Sequence, residues 1–95
     1  MYFLEIKPEA DRIFKKLAKK NKKQLAIIHK KILEIREHPL APHKFLRNPL
    51  QSFQSAHIDR HFVLIFKIHH DTHIVEIYYY DHHDKVYSWR PDIGG

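Results

Sequence analysis

Apolar positions along the chain follow two different periods. After the run MYFLEIK, which reads as a short strand, Ala10, Ile13, Phe14, Leu17 and Ala18 recur at the i, i+3, i+4, i+7 and i+8 spacing of one helix face. Arg12, Lys15, Lys16 and Lys19 take the other side. Pro8 stands where a helix readily begins, and Glu9 and Asp11 put negative charge against the positive end of the helix dipole. The polar run KKNKK breaks this helix. Leu25, Ile28, Ile32 and Ile35 then repeat the pattern until His38-Pro39 stops it, which predicts two antiparallel helices. The segment PLAPHKFLRNPLQ, with Pro39, Pro42 and Pro49, reads as an irregular basic connector whose charges are Lys44 and Arg47.

From Ser52 onward the period falls to two. Four short strands are predicted, FQSAH, HFVLIFKI, HIVEIYYY and KVYSW, separated by polar groups. HFVLIFKI is apolar on both alternations and so should be central, covered on both faces. In the tyrosine triplet, Tyr78 and Tyr80 should point opposite to Tyr79, one set into the core and one onto an open face. The predicted architecture is an α+β domain of order β-α-α-β-β-β-β, a helical hairpin packed on an antiparallel sheet. It should occupy residues 1–89 as a single domain, with RPDIGG, residues 90–95, as a tail. The only two glycines are terminal, so the turns must be built on Asp, His and Asn.

Composition narrows the function. Ninety-five residues suffice for one modest core. The absence of cysteine removes disulfides, thiolate metal sites and cysteine nucleophiles together. With no long apolar run, the expectation is a soluble cytoplasmic protein. Seventeen Lys and Arg against eleven Asp and Glu, a net charge of +6, make a polyanion or an acidic protein the expected partner.

The opening YFLEIKPEADRIFKKL, the helical hairpin, the segment NPLQSFQSAHIDRHFVLIFKI and the closing HHDKVY resemble the RelE/ParE superfamily of bacterial and archaeal type II toxins over nearly the whole chain. AHIDRHFVLIFKI is most similar to the YafQ branch, with its motif Ala-His-Val-Glu-Pro-Asp-Trp-Ile-Leu-Ile-Tyr; the RelE branch shares the opening YFL. The resemblance implies a compact ribonuclease that cuts messenger RNA in the ribosomal A site and is held by a RelB-like antitoxin, as a heterotetramer. It calls for no cofactor. Within the YafQ pattern His57 matches the histidine of Ala-His-Val, His83 the histidine near the C-terminus, and Tyr87 the closing aromatic. His61 stands where that branch has aspartate, Asn48 where it has histidine, and Tyr79 where it has arginine. Against RelE, Tyr87 matches the closing tyrosine, whereas Val63 replaces an arginine and Gln54 and Ala56 replace two lysines.

Metal-independent RNA cleavage uses the substrate's 2′-hydroxyl as nucleophile and needs a base, an acid and cations around the phosphate. Histidine, with an ordinary pKa near 6.5, suits both proton roles. If KVYSW is a strand, His83, Lys85 and Tyr87 share its outer side and Val86 faces the core. The resulting assignment has His83 as one proton-transfer group, His57 or His61 as the other, and Tyr87 as base-stacker or hydroxyl donor. Arg60, Lys44, Arg47, Lys85 and Tyr79 would contact RNA. Two other functions suit the same features: a ParE-like gyrase poison and a non-catalytic RNA-binding module.

Ten histidines, including HHDTH (His69 to His73) and DHHD (Asp81 to Asp84), also raise metal binding. Both clusters fall at expected turns, adjacent residues on an extended chain diverge, and no spacing matches an established site such as His-Glu-x-x-His on a helix. Metal binding is therefore kept only as a minor option, and no residue is assigned as a metal ligand.

Overall fold

The computed structural model describes residues 1–91. Of the expected tail, Arg90 and Pro91 are described, and Arg90 donates to the carbonyls of Tyr87 and Trp89; the rest lies outside the described residues. The chain begins with strand β1 (Phe3–Ile6), followed by helices α1 (Pro8–Lys20) and α2 (Lys22–Glu37). Pro8 opens α1. Asn21 separates the helices, and its side chain accepts a hydrogen bond from the Gln24 amide, capping α2. His38 closes α2 ahead of Pro39. No helix among the described residues is long and apolar enough to cross a membrane.

Four strands follow, β2 (Lys44–Phe45), β3 (Gln54–Ile58), β4 (Phe62–His69) and β5 (Ile74–His82), and then one short helix, α3 (His83–Val86). The sheet order is β1-β5-β4-β3-β2. The order β-α-α-β-β-β-β therefore holds, with three corrections. The sheet is mixed, because β1 runs parallel to β5, Phe3 opposite Ile74. The connector contributes a two-residue strand paired with β3. KVYSW is not a strand: β4 starts at Phe62, which pairs with His82, so β5 has no ladder partner beyond that point. The His82 side chain accepts from the Asp84 amide, and the chain turns into α3.

The turns are built as expected. Asp59 and His73 carry positive φ, 57° and 59°, in the β3–β4 and β4–β5 connections; a short polar side chain such as Asp enters this left-handed region more readily than most residues.

One core lies between the helices and the sheet: Ala10, Phe14, Ile28, Ile32 and Ile35 against Ile58, Leu64, Phe66, Val75, Ile77 and Tyr80. Gln24, the one buried polar side chain among the described residues, donates to the Tyr80 hydroxyl at 2.6 Å. The opposite face is covered as well, so β4 is buried on both sides. Connector residues Leu46 and Leu50, with Phe53 just before β3, pack there with Val63, Ile65, Val86 and Trp89.

The tyrosine triplet departs from simple alternation. Opposite Tyr79 stands Ile65 and opposite Ile77 stands Phe66, leaving Tyr78 as the extra residue of a β-bulge. Tyr78 and Tyr79 therefore both turn to the second core, while Tyr80 faces the helices. There is no open face here: Tyr79 stacks on Trp89, centroids 5.3 Å apart, and Phe53 meets the edges of Tyr78 and Trp89.

Glu76 joins β5 to the end of β1. Burial alone would push its carboxyl up, but bonds from Lys7 (2.9 Å), His69 and the Tyr78 hydroxyl (3.1 Å) hold it down at about 2. A carboxyl depressed from the usual 4.5 stabilises the fold above that pH and loses its contribution as pH falls towards 2. With the Lys7 end partly exposed and screened, the effect is about 2 kcal/mol. Glu76→Gln should lower the melting temperature at pH 7, and the gap from wild type should close between pH 4.5 and 2. A gap constant over that range would mean that Glu76 acts through packing alone.

Candidate active site

The β3–β4 turn and α3 meet at one end of the sheet. The His83 backbone N–H donates to the His61 carbonyl at 2.7 Å, and His83 Nδ1 lies 3.2 Å from the same oxygen. Two of the sequence-predicted histidines are thus fastened together through backbone, which fixes their spacing more firmly than a side-chain contact would. Their rings are 6.1 Å apart, with His82 stacked beside both at 5.8 Å from His61 and 4.5 Å from His83. One ring nitrogen from each of the three lies within 4.8 Å of the others. Asp84 borders the cluster, its carboxylate 3.0 Å from His83 Nε2 and 3.5 Å from His82 Nδ1.

The expectation that adjacent histidines diverge fails at His82 and His83, because one ends a strand and the other begins a helix. The predicted row of His83, Lys85 and Tyr87 is also recast. At 100° per residue His83 and Tyr87, four apart, stay on one side of the turn, and Lys85 is carried away from them. Val86 faces the core, as expected.

Tyr87 closes α3 with its side chain about half exposed. It lines a cleft of about 370 Å³ with Lys44, Phe45, Leu46, Arg47, Asn48, Leu50 and Ser55. The connector supplies this wall because Leu46, Leu50 and Phe53 are buried in the second core, leaving Lys44 and Arg47 at the surface. Arg60 and His61 are exposed in the β3–β4 turn and Lys85 on α3. Among the described residues, Lys44, Arg47, Arg60 and Lys85 form no ion pair.

His57 is exposed on β3 opposite Val63. Its neighbours Ala56 and Ile58 face the helices, so His57 belongs to the face that carries α3, two residues along β3 from Ser55 in the cleft. Tyr79 stands apart from the cleft. Its ring packs on Trp89 and its hydroxyl donates to Asp81 Oδ2 at 2.6 Å; burial first, then that bond, push its pKa to about 12.

Two residues of this end of the sheet, His82 and Asp84, are absent from the predicted site. The signal available was Asp84 in DHHD: an Asp is favoured in the first turn of a helix as well as in a turn.

Comparison with known proteins bears on the family and the fold. No family model matches the chain. An uncharacterized protein of Methanosarcina mazei is 52% identical over 87 residues, covering 92% of this chain and all of the relative. A Methanocaldococcus jannaschii protein named "Putative toxin RelE4" is 44% identical over 88 residues, 93% of each chain. Among solved structures, the toxin-antitoxin complex RelBE2 of Mycobacterium tuberculosis contains a chain that superposes with a TM-score of 0.71 at 26% identity, covering 85% of this chain and 96% of that one.

Proposed function

Because the chain belongs to the RelE/ParE family of type II toxins, we propose that it is a metal-independent endoribonuclease that cuts messenger RNA at the ribosomal A site and inhibits translation. The observation that supports this reading is the bond of His61 to the start of α3, the helix that opens on His83 and is closed by Tyr87, together with the cleft that Tyr87 shares with Lys44 and Arg47, two cations that form no ion pair among the described residues. Proton-transfer groups, a stacking surface and phosphate-binding charge are the parts that RNA transesterification requires.

In the proposed reaction one histidine takes the proton of the 2′-hydroxyl, and the 2′-oxygen attacks the adjacent phosphorus. The bond to the 5′-oxygen breaks, and a second histidine gives that oxygen a proton. The products are a 2′,3′-cyclic phosphate and a 5′-hydroxyl. His83 is one of the pair and His57 or His61 the other. Tyr87 stacks on a base, and Lys44, Arg47 and Arg60 offset the charge that grows on the phosphate, with Lys85 on the approach. The packing of Tyr79 against Trp89 supports a different role for it, in holding the end of the sheet on which α3 rests.

The expected partner is a RelB-like antitoxin whose acidic or amphipathic segment covers this basic end, in a heterotetramer. Primer extension on ribosome-bound messenger RNA tests the function: the toxin should produce discrete ends at codon spacing. Translation arrest without new ends would reject cleavage, and relaxed or cleaved DNA in a gyrase assay in their place would assign the ParE-like activity.

A further inference from the structure

We propose that His61, His82 and His83 form a binding site for one divalent transition-metal ion of the zinc or copper class, and that filling it switches RNA cleavage off. The site itself stands on geometry alone, whereas the switch rests on the ribonuclease reading above.

Three imidazoles are brought together by three independent constraints: a turn, the end of a strand and the first residue of a helix. A tetrahedral zinc bound at 2.0–2.1 Å needs ligand nitrogens about 3.3 Å apart. Starting from nitrogens within 4.8 Å of one another, small rotations about the broad terminal torsion of histidine close the difference without moving backbone. The backbone is already fixed by the bond from His83 N–H to the His61 carbonyl. The surroundings also suit a metal. The Asp84 carboxylate lies 3.0 Å from His83 Nε2, where it would orient the imidazole as a carboxylate orients a metal-bound histidine once Nδ1 turns from the His61 carbonyl to the ion. The rings remain partly open, His82 and His83 being 35% and 45% exposed, which provides an entry path and room for a water in the fourth position. An all-nitrogen set favours copper(II) and zinc over magnesium or calcium, which seek oxygen.

The consequence for the proposed reaction is direct. A metal takes the lone pairs of His61 and His83, and an imidazole whose lone pair is bound can no longer accept a proton. The ion is therefore an inhibitor, and the metal-free chain is the active form.

The test uses the full chain without an affinity tag, stripped with EDTA. Calorimetric titration with zinc chloride should give one ion per chain at this site, and the copper(II) adduct should show coupling to three nitrogens by electron paramagnetic resonance. His82 has no part in the proposed cleavage, and His82→Asn keeps an acceptor for the Asp84 amide, so the start of α3 is preserved. This variant should bind zinc about 100-fold more weakly or worse, beyond the 10–100-fold typical of losing an outer partner. Asp84→Asn should show that smaller loss. In the ribosome assay zinc should stop cleavage by wild type, EDTA should restore it, and His82→Asn should cut equally with and without zinc. Unchanged affinity in His82→Asn overturns the site. Wild-type cleavage that ignores zinc, or requires it, overturns the switch. If the stripped chain binds zinc as described but never cuts RNA, the ribonuclease reading has failed and the switch with it, while the metal site stands.

Discussion

Replacing His83 by alanine is expected to slow ribosome-dependent RNA cleavage by about 10²- to 10⁴-fold, the range for losing a positioned proton-transfer group. The fold should survive. His83 contributes its backbone N–H to the His61 carbonyl, which alanine retains, and a partly exposed side chain whose removal costs less than about 1 kcal/mol. Rate and stability are therefore separable readouts. A His83→Ala chain that melts like wild type and arrests translation just as well would remove His83 from the chemistry. The same substitution at His57 and at His61, made one at a time, identifies the second proton-transfer group by which one matches the loss at His83.

Trp89→Ala should have the largest effect on stability, about 3–5 kcal/mol, as expected for removing a buried aromatic. The indole is only 8% exposed. It stacks on Tyr79, meets Phe53 edge-on, and donates from Nε1 to Glu9 Oε1 at 2.9 Å, tying the end of the chain to the first turn of α1. For a domain this size the loss corresponds to a fall in melting temperature of roughly 15 °C or more. Because α3 is held on the sheet by Val86 and Trp89, cleavage should fall too, even at temperatures where the variant remains folded. Trp89→Phe, which keeps the stack and loses the bond to Glu9, should retain most of both. If Trp89→Ala melted within a few degrees of wild type, α3 would be held by something other than this ring.

The helices were readable because their signals are local. Pro8, Asn21 and His38-Pro39 set the boundaries, and a 3.6-residue stripe of Ile and Leu has no other good interpretation. The end of the sheet was harder, since its geometry depends on partners distant in sequence. Nothing in Lys85 to Trp89 says that β4 begins only at Phe62 and leaves those residues without a ladder; their β-branched and aromatic character pointed to a strand instead. The bulge at Tyr78 was hidden because Ile, Tyr, Tyr and Tyr are acceptable on either face, so a shift of one residue leaves no polar residue misplaced. The site was legible in part for a similar reason. His83 and Tyr87 share a side on a helical turn as on a strand, whereas the grouping of His61 with His82 and His83 exists only once turn, strand end and helix start are assembled.

The parallel pairing of β1 with β5 fixes the order in which this toxin can become complete during its own synthesis. Phe3 to Ile6 find their strand partners only in Ile74 to Ile77, on the far side of the helical hairpin and three other strands. The helical hairpin between them likewise has no sheet to cover until β3, β4 and β5 have been made. Contacts between segments this far apart in sequence are slow to form and yield nothing until both partners are present. The helix that carries His83 and Tyr87 follows β5 directly. A chain that stops short of β5 therefore lacks both the partner of β1 and the helix that follows it, so the two ends of the fold are completed together.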